Sequence, residues 1–427
     1  MATSCEFESR SGHYERRIST ARLYSSARGL TAPLSNIFVT QNFPPESGGM
    51  ARRHAELVRR YDEPMAVSTV AHDAASAPDA AARFKIDRQD FPASRAKLFA
   101  NEIKWGRWLA QRCASGIDVI HCGEIRPVGY AVWWAHNRTR VPYVMYVNGG
   151  DLLHERRKTS RHWTKRVSAY RLFSDASALI ANSEWTATLA HEVMREVGVT
   201  EPPPVGTIDL GTDPEQFSPE RNTGELRARL GIGASPMMLT VARLVPHKGQ
   251  DTAIQALGLL RDEFPDLHYV IVGKGADELR LRSLSTALGV AERVHLVGHL
   301  DDASLADAYA SASVYVGLSR LDNSVNVEGF GISFVEAAAS GVPSVGGNSG
   351  GVRSAVRDGE TGFVVDPSDA TAAAAAVRML IGQADLRSRM GAAGRSAVES
   401  HFNWDRVASE TRSFVHQCIT ARGTRSN

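Results

Sequence analysis

Cysteine is scarce. Cys5, Cys113, Cys122 and Cys418 are the only four in 427 residues. None stands in a CxxC pair or at zinc-finger distance from a histidine. A disulfide scaffold and a thiolate zinc site are thereby excluded, and free thiols in a reducing compartment are expected. No stretch reaches the ~18 uninterrupted apolar residues that a membrane-spanning helix needs. The N-terminal segment carries Arg10, Arg16, Arg17, Arg22 and Arg28 but no apolar core, so a secretory signal is not expected there. Net charge is nearly absent too. The 49 Lys+Arg and 47 Asp+Glu leave +2, which gives no argument for a nucleic-acid partner.

What is present is ordinary for a soluble globular protein: 43% hydrophobic and 22% charged residues. At roughly 150 residues per domain, the length predicts two or three domains. Short apolar runs at Asn36–Thr40, Met65–Val70, Val119–Cys122, Tyr143–Val147 and Leu179–Ala181 read as buried parallel strands. A helical pattern runs from about Met50 to Tyr61, while Pro78 and Pro92 argue for broken structure over 76–100. After the break at Pro202–Pro204, strands are expected at Met237–Val241, Tyr269–Val272, Val294–Val297, Val314–Val316 and Pro343–Val345. Helices fit at about 250–263, 276–288, 302–310, 332–339, 370–381 and 404–420.

The fold class expected is α/β, with two Rossmann-like domains facing each other across a cleft. The divisions expected are a disordered extension at 1–35, a first domain at 36–205, a linker at 206–235, a second domain at 236–400, and a C-terminal helix at 401–427 that can cross back to the first domain.

The small net charge is a cancellation. Residues 1–200 hold 28 Lys+Arg against 20 Asp+Glu, whereas 201–427 hold 21 against 27. Part of the first excess is the basic run His154–Arg166, which contains Trp163. It reads either as a solvated helix face or as a surface that meets anionic lipid or an anionic acceptor.

Two motifs carry chemistry. In Val327-Glu-Gly-Phe-Gly-Ile-Ser-Phe-Val-Glu-Ala337, Glu328 falls in a loop and Glu336 on the helix that follows. Gly329 and Gly331 let the backbone approach a ligand, and the free N–H groups near Gly331–Ser333 suit a phosphate. In Val241-Ala-Arg-Leu-Val-Pro-His-Lys-Gly249, Arg243 and Lys248 lie just past the carboxyl end of a strand. Open α/β sheets place their ligands there. Both cations suit a departing diphosphate that gains negative charge.

Together these segments resemble the family 4 retaining glycosyltransferases of GT-B fold. The first matches that family's Glu-x7-Glu motif and the second its Arg-x4-Lys phosphate site. Phe43-Pro-Pro-Glu-Ser-Gly-Gly49 resembles the N-terminal glycine loop, Asp209–Asp213 the linker, and Asn348-Ser-Gly-Gly351 a late donor-side loop. The resemblance covers about 36–405. It implies a nucleoside-diphosphate sugar donor and a hydroxyl acceptor such as a glycan or a lipid. It also implies reaction with retention in the cytoplasm, with no cofactor and no metal; the chain has no Asp-x-Asp.

By the same resemblance, Gly48 and Gly49 would meet the donor phosphates, and Arg243 and Lys248 would neutralise the leaving diphosphate. Glu328 would hold donor-sugar hydroxyls and Glu336 the ribose. The backbone of Phe330, Gly331 and Ile332 would line sugar and phosphate. Val327–Gly331 and Ile120–Glu124 are similar to bacterial mannosyltransferases acting on inositol lipids. That makes GDP-mannose the first donor expected, ahead of UDP-glucose and UDP-N-acetylglucosamine.

Three positions stand apart. The family usually has His-Gly where this chain has Asn148-Gly149, and Asn carries neither a proton nor a charge there. A nucleotide-sugar binding protein impaired in catalysis therefore stays open as an alternative; a GT-B-like epimerase is a separate one, with no sequence feature of its own. Arg353-Ser354 replaces the more usual Pro and acidic residue. His121, at the end of its strand, is expected to point toward the crevice, as a structural histidine or an acceptor contact.

Overall fold

The computed structural model describes residues 33–46, 48–90, 98–323 and 325–425. The extension expected at 1–35 lies outside these residues except for its last three, as does Ser47 of the glycine loop.

Seven parallel strands form the first sheet. They are β1 (Asn36–Val39), β2 (Met65–Val70), β3 (Ile86–Gln89), β4 (Val119–Cys122), β5 (Tyr143–Val147), β6 (Ala178–Ala181) and β7 (Val205–Thr207), in the order β3-β2-β1-β4-β5-β6-β7. Six parallel strands form the second. They are β8 (Met237–Val241), β9 (His268–Val272), β10 (Val294–Gly298), β11 (Val314–Gly317), β12 (Ser344–Gly347) and β13 (Gly362–Val365), in the order β10-β9-β8-β11-β12-β13. Every residue of β1, β5 and β6 is buried, which explains their unbroken apolar runs: strands covered on both faces have no polar side to show.

Helices of the first domain are α1 (Gly49–Arg60), α2 (Ser76–Ala80), α3 (Leu98–Ala114), α4 (Val128–Thr139), α5 (Gly149–Arg161), α6 (Trp163–Ser174) and α7 (Glu184–Val197). In the second half follow α8 (Glu225–Leu230), α9 (Gln250–Leu259), α10 (Glu278–Ala287), α11 (Asp302–Ala310), α12 (Ile332–Ala339), α13 (Val352–Ala355), α14 (Ala370–Gly382), α15 (Ala384–Ser400) and α16 (Trp404–Arg425).

Strand order reverses between β1 and β4 and again between β8 and β11. Each reversal opens a crevice at the carboxyl ends of its strands. The chain passes between the sheets near Asp209–Asp213, and this segment is tied to the approach to α16. Thr212 N donates to the Phe402 carbonyl at 2.9 Å. A Cβ on Gly211 would stand 2.6 Å from the Asn403 carbonyl carbon, so only glycine fits there. Helix α16 packs against α1, with His416 Nε2 2.6 Å from Glu63 Oε1. Arg60 of α1 reaches both Asp213 and Asp405 at 3.1 Å.

Where the structure departs from expectation, the causes are local. Strands β3, β7 and β13 were not foreseen. They are short, β3 and β7 lie at one edge each of the first sheet, and β3 is half-buried throughout. β3 and β7 therefore lack the apolar run that announces a central strand; β13 does carry one, Phe363-Val-Val365, at an edge of the second sheet. Helix α9 stops at Leu259, short of the expected 263, because a turn leads directly to Pro265. His121 does not face the crevice. The alternation of β4 turns it into the core, 2.9 Å from the Tyr146 hydroxyl and 3.0 Å from Asn36 Oδ1, with Tyr61 packed edge-on against it.

Burial lowers the pKa of both His121 and His54 to about 3, against about 6.5 in an unfolded chain. The folded state keeps both neutral over a range where the unfolded state takes up protons, so stability is lost as pH falls from 6.5 toward 3. Between pH 7 and pH 5 each histidine should cost about 2 kcal/mol. Urea unfolding at the two pH values is expected to show a loss about 2 kcal/mol smaller in His121→Asn than in wild type. An equal loss would mean that His121 is not the linked group.

Candidate functional site

The residues expected at the donor site, apart from the helix-borne Glu336, lie in the loops past the carboxyl ends of strands or at the start of the helix that follows. The loop after β1 leads to Gly48 and Gly49, β5 to Asn148, β8 to Arg243 and Lys248, and β11 to Glu328 and the start of α12. Parallel strands bring all these ends to one edge of each sheet, and the two edges meet across the cleft.

Helices α1 and α12 begin opposite each other. Gly48 caps α1 with φ 127° and Gly331 caps α12 with φ 97°, both in the region that favours glycine. Neither helix has a side-chain cap or an acidic residue in its first turn. Their first N–H groups are left for an outside partner, and the helix dipoles favour that partner being an anion. A Cβ placed on Gly49 would lie only 3.6 Å from Ile332 Cδ1 of the facing domain.

One turn into each helix the domains are joined by charge. Arg52 Nη1 of α1 donates to Glu336 Oε1 of α12 at 2.5 Å, and the buried Tyr309 hydroxyl donates to Glu336 Oε2 at 2.6 Å. On the other side of the α12 start, Lys248 Nζ donates to Glu328 Oε2 at 2.7 Å, with both side chains largely covered. Arg243 stays exposed beside them. Its carbonyl accepts from Gln250 Nε2 at 3.0 Å, and among the described residues its guanidinium makes no ion pair.

The Glu328–Gly329 loop is fixed from both sides. Gly351 N donates to the Glu328 carbonyl at 2.9 Å, and a Cβ on Gly351 would stand 2.0 Å from the Gly329 carbonyl oxygen. From the first domain, Ser183 Oγ donates to that same Gly329 oxygen at 2.7 Å. Arg353, one of the residues expected to depart from the family pattern, donates from Nε to Asn348 Oδ1 at 2.9 Å and so braces the late loop.

Asn148 caps α5 at the cleft. Its Oδ1 accepts from Arg53 Nη1 at 2.8 Å and from Asn182 Nδ2 at 3.3 Å, while its Nδ2 donates to Asp151 Oδ2 at 3.2 Å. Arg53 is buried with its guanidinium over the Tyr146 ring. Burial pushes its pKa down to about 10, which leaves it charged at neutral pH. Burial also raises the carboxyl of Asp151. Behind this group, Glu124 is buried and accepts from Thr40 Oγ1 at 2.5 Å and Asn42 Nδ2 at 2.6 Å, anchoring the start of the glycine loop. Burial lifts Glu124 to a pKa of about 7.

Gly48, Gly49, Asn148, Lys248, Glu328, Gly331, Ile332 and Glu336 therefore converge. The Phe330 side chain does not: it is buried against Phe402, so only its backbone faces the cleft. Sequence reasoning passed over Arg52, Arg53, Asn182, Ser183 and Tyr309. A signal existed for the two arginines. Cations near a helix start oppose the helix dipole, and a glycine-led helix with Arg52 and Arg53 where acids are usual invites a functional explanation. Among the described residues, no cluster of three or more His, Cys, Asp or Glu side chains is placed to hold a metal, and no helix is long and apolar enough to cross a membrane.

Comparison with known proteins supplies relatives for both halves. Residues 47–216 match the family model "Glycosyltransferase Family 4" and residues 222–397 match "Glycosyl transferases group 1". The chain is 38% identical over 214 residues to the GDP-mannose-dependent alpha-(1-6)-phosphatidylinositol monomannoside mannosyltransferase of Mycobacterium tuberculosis strain H37Rv; the match takes in 50% of this chain and 56% of that protein. It is 35% identical over 246 residues to the D-inositol 3-phosphate glycosyltransferase of Streptomyces scabiei, covering 55% of this chain and 53% of the relative. The match thus spans little more than half the length of these curated relatives. Among solved structures, sucrose-phosphate synthase of Thermosynechococcus elongatus superposes with a TM-score of 0.74 at 23% identity, over 91% of this chain and 100% of that one. Anabaena HepE in complex with UDP and glucose gives 0.71 at 20% identity, over 90% and 99%. At such identities the likeness concerns the fold.

Arg52 and Glu336 tie the domains together. Arg52→Gln leaves the nearly buried Glu336 carboxylate with Tyr309 alone and should cost about 2–3 kcal/mol in urea unfolding. Adding Glu336→Gln removes the unpaired charge and should recover most of that loss. A double variant as unstable as the single one would show that the pair is not what stabilises this contact.

Proposed function

Because this chain belongs to glycosyltransferase family 4, we propose that it moves a sugar from a nucleoside-diphosphate sugar to a hydroxyl acceptor. The observation that carries the proposal is the approach of two uncapped, glycine-led helix starts across one cleft, Gly49 against Ile332, with Lys248 and Glu328 beside them. An anion between those starts takes up their N–H groups and their dipoles at once.

In this reading the donor diphosphate lies between α1 and α12. Lys248 and Arg243 face the charge that grows on the leaving group. Lys248 would turn from Glu328 to phosphate, which frees the Glu328 carboxylate for sugar hydroxyls. Arg52 would likewise be drawn from Glu336, leaving that carboxylate for the ribose. Two fixed cations supply the neutralisation that a divalent ion gives elsewhere, so the reaction is proposed to need neither metal nor cofactor. The proposed outcome is retention, with attack on the same face that the diphosphate leaves and with the departing phosphate taking the acceptor proton. GDP-mannose is the first donor proposed, supported by the named activity of the mycobacterial relative, and the acceptor proposed is a glycan or a lipid-borne hydroxyl on the first-domain side.

Transfer or donor hydrolysis measured across GDP-mannose, UDP-glucose and UDP-N-acetylglucosamine tests base and sugar together. Lys248→Ala and Glu328→Ala should each lower kcat by about 10²–10³-fold, the range found when a donor to developing charge is removed. Rates should survive chelation of divalent ions, and the product anomer read by NMR should match the donor. Wild-type rates in both variants would sink the site assignment; nucleotide-sugar binding with no turnover on any donor would favour a binding protein instead.

A further inference from the structure

Helix α6 shows solvent an apolar stripe that folding alone does not require. Trp163 is 77% exposed, Val167 51% and Tyr170 36%. Spacings of four and three residues place them on one face, while Ala169, Leu172 and Phe173 bury the opposite face in the core. A tryptophan left this exposed contributes little to the fold, and apolar side chains grouped on a surface mark a contact.

The surroundings of the stripe are uniformly basic. Arg157, Lys158, Arg161, Lys165, Arg166 and Arg171 are all exposed, and no acid occurs between Glu155 and Asp175. The neighbouring carboxylates are already engaged. Glu155 is buried against Arg126, Asp175 accepts from Trp133 Nε1 at 2.7 Å, and Glu192 and Glu196 hold Arg156. Among the described residues none of the six exposed cations lies within ion-pair distance of a carboxylate. Lys165 rests over the Tyr130 ring, and Glu102, close enough to feel its charge, is raised by burial.

We propose that this face docks the protein on an anionic lipid surface, with Trp163, Val167 and Tyr170 entering the headgroup layer and the six cations meeting lipid phosphates. An aromatic and apolar centre flanked by cations is the pattern of a helix lying in a bilayer interface, whereas an acidic protein would be met by cations alone. Helix α5 links the two functions. Its first residues, Gly149 and Gly150, lie against Val327 and Val325 at the cleft, and its last carry Lys158 and Arg161. Docking therefore sets the cleft one helix length, about 20 Å, from the basic face. The docking itself does not depend on the sugar-transfer proposal; only its corollary, an acceptor carried in the bilayer, rests on that reading.

The test is sedimentation of the full chain with phosphatidylcholine vesicles, with and without phosphatidylglycerol. Binding is expected with the anionic vesicles only, falling about tenfold between about 0.05 M and about 0.5 M salt. Arg161→Gln/Lys165→Gln/Arg166→Gln should weaken it about 100-fold. Brominated acyl chains should quench part of the tryptophan emission, and Trp163→Leu should lose that part while still binding. All four side chains are exposed, so folding should be unchanged by circular dichroism. No binding to anionic vesicles, equal binding to neutral ones, an unweakened triple variant, or the same quenching in Trp163→Leu would each overturn the proposal. Capture on polyglutamate without lipid quenching would overturn it in favour of an acidic protein. Donor hydrolysis by the same variants, expected at wild-type rates, separates a failure of docking from a failure of the catalytic reading.

Discussion

Unpaired backbone donors at the starts of α1 and α12 are the constraint around which the cleft is built. A helix start leaves N–H groups that must find acceptors. The usual remedy is a capping side chain, but Gly48 and Gly331 adopt backbone angles that favour glycine, and glycine has no side chain to offer. The same substitution that lets the chains approach each other also removes the cap. The parallel sheets do the rest, because they bring the starts of α1 and α12, each of which follows a strand, to their carboxyl edges, and the two edges face each other.

Carboxylates in such a place need cations, and the cleft supplies them from within. Glu336 is held by Arg52 and Glu328 by Lys248. The positive dipole ends, two acids and their partner bases nearly balance, so an incoming diphosphate would not meet a simple basic pocket. In the proposed function it would exchange partners, drawing the cations to phosphate and releasing the carboxylates toward hydroxyls. Residues 201–427 hold 21 Lys+Arg against 27 Asp+Glu despite containing Arg243 and Lys248. What matters is where two cations stand, and net charge does not record it.

Most of the central strands were legible in the sequence because parallel strands buried on both faces leave continuous apolar runs; β2, β4, β5 and β8 fall where those runs predicted. Edge strands β3 and β7 leave no such trace. In the cleft, residues that chemistry demands at fixed spacing were readable: Glu328 and Glu336, Arg243 and Lys248, the glycines before α1. Those that act by tertiary approach were not. Ser183 meets the Gly329 carbonyl across 146 positions of sequence, and Arg52 meets Glu336 across 284. His121 was misdirected for a related reason. The end of a strand points to the crevice, but its side-chain alternation decides which face a given residue takes.

Arg53 completes the account of position 148. Asparagine there has no charge, and the cleft places one directly behind it: Arg53 donates to Asn148 Oδ1 and thereby fixes which way the amide points, leaving Nδ2 toward Asp151. A buried guanidinium with a pKa of about 10 keeps its charge through the physiological range but does not give up its proton there. The Arg53–Asn148 pair can therefore fix the polar groups at this end of the cleft, yet cannot shuttle a proton. In the proposed function the acceptor proton is therefore not taken at position 148, which agrees with assigning it to the departing phosphate.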